Sequence, residues 1–83
     1  MNNKKMKIKN IKNNIKKKIS LQKIYIEGDE NHLKITAIGD IFQNMSSLKR
    51  QKSIYSCLTK YFEKKRIHAV TIHAYTISEW KNI

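Results

Sequence analysis

Residues 66–80, RIHAVTIHAYTISEW, constrain this chain more than any other stretch. They form the least polar run in a very basic sequence. Read with a period of two, His68, Val70, Ile72 and Ala74 share one face, and Ile67, Ala69, Thr71, His73 and Tyr75 share the other. Both faces are largely apolar. That predicts a strand covered on at least one side and packed near the middle of a small sheet. Thr76 and Glu79 follow at the spacing of a capping box. A Thr at the N-cap accepts from the N3 amide, and a Glu at N3 reaches back to the N-cap amide. A short terminal helix carrying Trp80 should therefore start directly after the strand.

Length narrows the options further. Eighty-three residues make a single domain over 1–83 with a small core. No run of eighteen apolar residues is present, so no membrane span is expected. The N-terminus is basic but lacks the apolar block of a secretory signal, which predicts a cytoplasmic protein. The single cysteine, Cys57, excludes an internal disulfide and fits a reducing compartment. Neither a Cys-x-x-Cys nor a His-x-x-x-His spacing offers a self-contained zinc site.

The formal charge of +12 suggests a polyanionic partner. Yet sixteen of the eighteen basic residues are Lys, and only Arg50 and Arg66 are Arg. The chain is also rich in Ile and Asn, which share A/T-rich codons with Lys. Readers of phosphate and base edges usually lean on the planar fork of Arg. Codon bias is thus the simpler account of the overall charge.

Taken in order, residues 1–23 hold nine lysines and no acid. Ile8, Ile11, Ile15 and Ile19 recur at helical spacing within this block. The spacing predicts a frayed start, over about 1–5, and then an amphipathic helix to Lys18 that docks its Ile stripe on a sheet. Ile24, Tyr25 and Ile26 read as a strand, residues 28–31 as a turn, and residues 33–38 as a second strand of an antiparallel hairpin. Ser46 or Ser47 can cap the next helix. There Leu48, Tyr55 and Phe62 recur at sevens, joined by Ile54, Leu58 and Tyr61, as an apolar stripe over about four turns. Cys57 beside that stripe reads as a small buried hydrophobe. Lys60, Lys64, Lys65 and Arg66 load the C-terminal end, where positive charge suits the helix dipole.

The order αββααβ predicts an α+β two-layer sandwich with a three-stranded sheet. This is the plan of the bacterial-type (type II) KH domain. KH domains grip a nucleic-acid backbone with a GXXG loop. Here the two glycines, Gly28 and Gly39, are eleven apart, so that loop is absent.

Several residues in order carry a family likeness: Ser20, Leu21 and Gln22; Gly28 and Asp29; His32; Phe42; Met45 and Ser46; residues 49–55; residues 66–70; Ala74, Tyr75 and Thr76; Glu79 and Trp80. On these the chain resembles BolA-like proteins, within them the IbaG branch. The resemblance implies a KH-like fold without GXXG. It also implies partnership with a monothiol glutaredoxin through a bridging [2Fe–2S] cluster. The glutaredoxin side would supply its cysteine and a glutathione thiolate, and this side two ligands. His68 matches the histidine of the last strand, and His32 matches the ligand of the hairpin loop. Imidazole in place of thiolate leaves a ligand that protonates, which suits a carrier of labile cluster. Some relatives are credited with DNA binding and stress-linked regulation, for which Lys49, Arg50, Lys52, Lys65 and Arg66 are the candidates here.

Two departures stand out. Many relatives have Arg-His where this chain has Arg50 and Gln51. The family usually has Pro after the capping Thr, where this chain has Ile77. His73 falls on the opposite strand face from His68 and is not assigned to the same metal. Asp29 and Glu30 read as turn residues. No nucleophile–base pair, phosphate loop or paired-carboxylate signature points to an enzyme.

Overall fold

In the computed structural model, which describes residues 8–64 and 66–83, the elements run α1 (Ile8–Lys18), β1 (Lys23–Gly28), β2 (Leu33–Ile38), α2 (Ser47–Tyr55), α3 (Thr59–Glu63), β3 (Val70–Tyr75) and α4 (Ile77–Lys81). The expected frayed start and Lys65 lie outside the described residues. The architecture is the predicted α+β sandwich with a three-stranded sheet. β1 and β2 pair antiparallel, and β3 pairs parallel with β2. Parallel pairing needs a long crossover, and the chain supplies one through α2 and α3.

Register explains the core. Ile24 and Ile26 sit opposite Ala37 and Ile35, while Leu33, Ile35 and Ala37 sit opposite Val70, Ile72 and Ala74. These residues share the face covered by the helices. The Ile stripe of α1 docks there as expected, with Ile11 and Ile15 fully buried and Ile19 nearly so. Burying each such side chain stabilises by about 1.5–3 kcal/mol relative to exposure.

Two expectations are corrected. The strand order β1-β2-β3 puts β3 at the sheet edge, with β2 in the middle, and β3 begins only at Val70. Its two-sided apolar character has another cause. The second face meets α4, where the Trp80 ring lies 5.5 Å from Tyr75 and 6.0 Å from Tyr25. The long helical stripe is buried only in part. Leu48 and Tyr55 are 61% and 43% exposed, whereas Ile54, Cys57 and Leu58 are buried. A 3-10 turn over Ser56–Leu58 separates α2 from α3, and Leu48 and Tyr55 share the side of α2 that lines a shallow hollow with Val70 and Ile72. Tyr55 stacks on Phe62 across that turn, with centroids 4.9 Å apart.

Both caps form. Ser46 accepts from the Lys49 amide at 3.1 Å, and the Thr76–Glu79 capping box has both of its bonds, at 3.1 and 2.9 Å. Glu79 also meets Arg50 through two bonds, at 2.6 and 3.2 Å. The hydrogen bond from Arg50, and then that from the Thr76 amide, hold the Glu79 carboxyl down at about 2. Ile77, standing where Pro is usual, uses the amide that Pro lacks, donating to Asp40 Oδ1 at 3.4 Å.

Candidate functional site

The hairpin loop is built to present His32. Gly28 has φ +99°, and a Cβ there would lie 2.2 Å from the His32 carbonyl oxygen, so only glycine fits without displacing the loop. Asp29 Oδ1 accepts from the amides of Asn31 and His32 at 2.9 and 3.3 Å. This is Asx-turn chemistry and gives Asp29 the turn role that its sequence position suggests. The loop is then fastened to the entrance of β3. The His68 amide donates to the Glu30 carbonyl at 2.8 Å, and the Leu33 amide donates to the Ala69 carbonyl at 3.0 Å. Backbone pairing thus brings the segments bearing His32 and His68 to one end of the sheet. Both histidines are exposed.

His32 Nε2 lies 2.7 Å from the Thr71 hydroxyl. A ligand taking Nε2 would have to displace that hydroxyl, while Nδ1 stays outside this bond. A hollow of about 480 Å³ surrounds the pair, lined also by Glu27, Gly28, Lys34 and His73. His73, and not His68, therefore shares the hollow with His32. Sequence reasoning did not connect these two. The connection depends on register, which places His73 opposite Thr36, and Thr71 opposite Lys34, on the sheet face away from α1–α3. His68 stands in a bend before β3, off the strand to which the period-two reading assigned it.

Among the described residues, no three His, Cys, Asp or Glu side chains converge as a metal site. The one thiol is remote in character as well. Cys57 is 4% exposed, and burial pushes its pKa up, which disfavours the thiolate that iron needs.

The family model for BolA-like protein matches residues 1–79. The chain belongs to the BolA-like family. It is 44% identical over 62 residues to the acid stress protein IbaG of Escherichia coli K12, covering 75% of this chain and 74% of that one. It is 33% identical over 54 residues to the DNA-binding transcriptional regulator BolA of Haemophilus influenzae, covering 65% and 52%. The solved structure of BolA1 from Arabidopsis thaliana superposes with a TM-score of 0.78 at 22% identity, covering 95% of this chain and 98% of the other, which shows the fold.

The described basic candidates of this BolA-like chain, Lys49, Arg50, Lys52 and Arg66, do not form one surface. Lys49 and Lys52 are exposed on α2. Arg50 between them is turned inward, its side chain only 13% exposed. Its Nε donates to the Met45 carbonyl at 3.0 Å and its Nη1 to the Ala74 carbonyl at 3.2 Å, besides the pair with Glu79. Its guanidinium is committed within the fold, which corrects its place among phosphate-binding candidates. Arg66 belongs elsewhere, lining a cleft between α1 and α3. No described helix is long and apolar enough to cross a membrane.

Proposed function

We propose that this BolA-like protein is an adaptor in iron–sulfur cluster assembly, trafficking and iron homeostasis. It works with a monothiol glutaredoxin and glutathione, and the two proteins hold a [2Fe–2S] cluster between them as cargo. The observation that carries this reading is the backbone pairing of the His68 entrance with the hairpin loop, which sets two exposed imidazoles at one end of the sheet. The donor chemistry fits. Imidazole is a competent iron ligand, and two such groups leave the remaining positions for thiolates from a partner. The cluster supplies the transferable iron and sulfide. This chain supplies neutral imidazole nitrogen from His68 and His32, a rigid turn at Gly28 and Asp29 that sets where His32 stands, and a Thr71 hydroxyl that orients the His32 ring.

Anaerobic reconstitution with a monothiol glutaredoxin, glutathione, iron and sulfide tests this, read by visible circular dichroism and size-exclusion chromatography. The expected result is a cluster spectrum that changes on forming a one-to-one complex and reverts with His68→Ala. An unchanged glutaredoxin spectrum without co-elution sinks the reading.

A second reading, a DNA-binding stress regulator, draws on the exposure of Lys49 and Lys52 along α2 and on the name of the Haemophilus relative. Its signature is duplex affinity that falls steeply with salt and falls again in the Lys49→Glu, Lys52→Glu variant.

A further inference from the structure

We propose that the cleft between α1 and α3 binds a small oligophosphate anion, of the size of a nucleoside di- or triphosphate. This goes beyond both readings above and rests on neither. The cleft encloses about 520 Å³, within the roughly 300–1,000 Å³ range of small-ligand sites. Lys17 comes from α1, Lys60 from α3, and Lys64 and Arg66 from the segment that follows; no carboxylate lines the cleft.

Codon bias can explain how many lysines the chain has. Three of them, with Arg66, line this cleft; three others, Lys12, Lys16 and Lys23, line a smaller hollow of about 260 Å³ that has no second cationic helix facing it. The six acids lie mostly elsewhere: Glu27, Asp29 and Glu30 at the hairpin, and Asp40 and Glu79 around the start of α4. Across α1, α2 and α3 the only acid is Glu63, which does not line the cleft. Like charges converging on one concavity repel, and a concave wall focuses their field, so an anion is favoured there. Lysine ammoniums suit phosphate as compact point charges.

The walls are set. The Asn14 amide donates to the Cys57 carbonyl at 3.0 Å, joining α1 to the 3-10 turn, and Ile11 and Ile15 anchor the buried side of α1. The Arg66 amide donates to the Tyr61 carbonyl at 2.7 Å and the Lys64 amide to the Lys60 carbonyl at 3.1 Å, which fixes the chain leaving α3. The cleft also carries an aromatic ring, Tyr61, and two exposed amides, Asn10 and Asn13. A planar base has something to stack on and groups to bond with, beside cations for the phosphates.

The test is an amide NMR titration of the full chain at physiological ionic strength, with inorganic tripolyphosphate, then a nucleoside triphosphate, then a single-stranded oligonucleotide. Saturable shifts centred on Asn13, Lys17, Lys60 and Lys64 are expected with the short anions. Lys17→Glu with Lys60→Glu should weaken binding by about tenfold or more, and Lys49→Glu with Lys52→Glu by about twofold at most. Tighter binding of the nucleoside triphosphate than of tripolyphosphate assigns the site to nucleotides; equal binding assigns it to inorganic polyphosphate. Non-saturating shifts across all lysine-bearing segments overturn the proposal. So do equal losses in the two variants, or binding of the oligonucleotide alone. The replaced lysines are exposed, so an unchanged thermal midpoint separates loss of binding from loss of fold.

Discussion

The two ends of β3 are managed in opposite ways. At the Tyr75 end, polar groups are consumed by the fold. Arg50 binds two carbonyls and a carboxylate, Thr76 and Glu79 cap each other, and Asp40 accepts from the Ile77 amide. At the Val70 end, the backbone is pinned to the hairpin loop while the histidine side chains stay exposed. One end spends its side-chain chemistry on its own structure; the other uses backbone bonds for position and leaves its imidazoles exposed. A polar side chain near a candidate site is therefore poor evidence of binding until its internal partners are known. Arg50 and His68 show the two cases.

The contrast breaks most visibly at Arg50. Arg50→Ala leaves the Met45 and Ala74 carbonyls without this donor and removes a largely buried stem. It should cost about 1–3 kcal/mol in urea unfolding. A loss within the scatter of ordinary surface substitutions would mean that this end is not the fastened one.

A smaller effect is written in pH. The Glu79 carboxyl is held at about 2 against an ordinary 4.5. Between these values the unfolded chain binds the proton that the folded chain refuses, so stability rises with pH. The contribution is fully present above about 4.5 and is lost as pH falls towards 2. Glu79→Gln should flatten this acid limb in thermal melts taken across the window, and an unaltered limb would reassign it to other carboxyls.

The smallest effect sharpens the comparison from the other side. His68→Ala should change stability by less than about 0.5 kcal/mol, because the bond to Glu30 comes from the His68 backbone amide, which alanine keeps. The same variant is expected to lose the joint cluster spectrum. A large loss of stability would make His68 a structural residue and count against the ligand role proposed for it.

Much of the fold was legible because its signals are local. The Ile stripe of α1, the hairpin turn and the Thr76–Glu79 box depend on residues within a few positions of one another, and all three formed. The Leu48–Tyr55–Phe62 stripe held only in part, for a reason equally physical. The spacing holds, since Tyr55 stacks on Phe62, but the buried face belongs to Ile54, Cys57 and Leu58, and Leu48 and Tyr55 lie on an exposed flank beside β3. The candidate site was legible only as residue types. His32 and His68 could be named, but the Thr71 contact and the approach of His73 could not, since both arise between residues far apart in the chain.

By itself, then, the sequence determined the element order, the caps, the buried faces of α1 and the hairpin, and the absence of a GXXG loop. Each is set by short-range spacing and backbone chemistry. The tertiary structure alone decided that β3 is an edge strand parallel to β2, that Arg50 turns inward, and that lysines from α1 and α3 meet across one cleft. Those outcomes depend on how the elements pack and in which register. Neither is encoded within any one segment; they follow from burying all the apolar faces together.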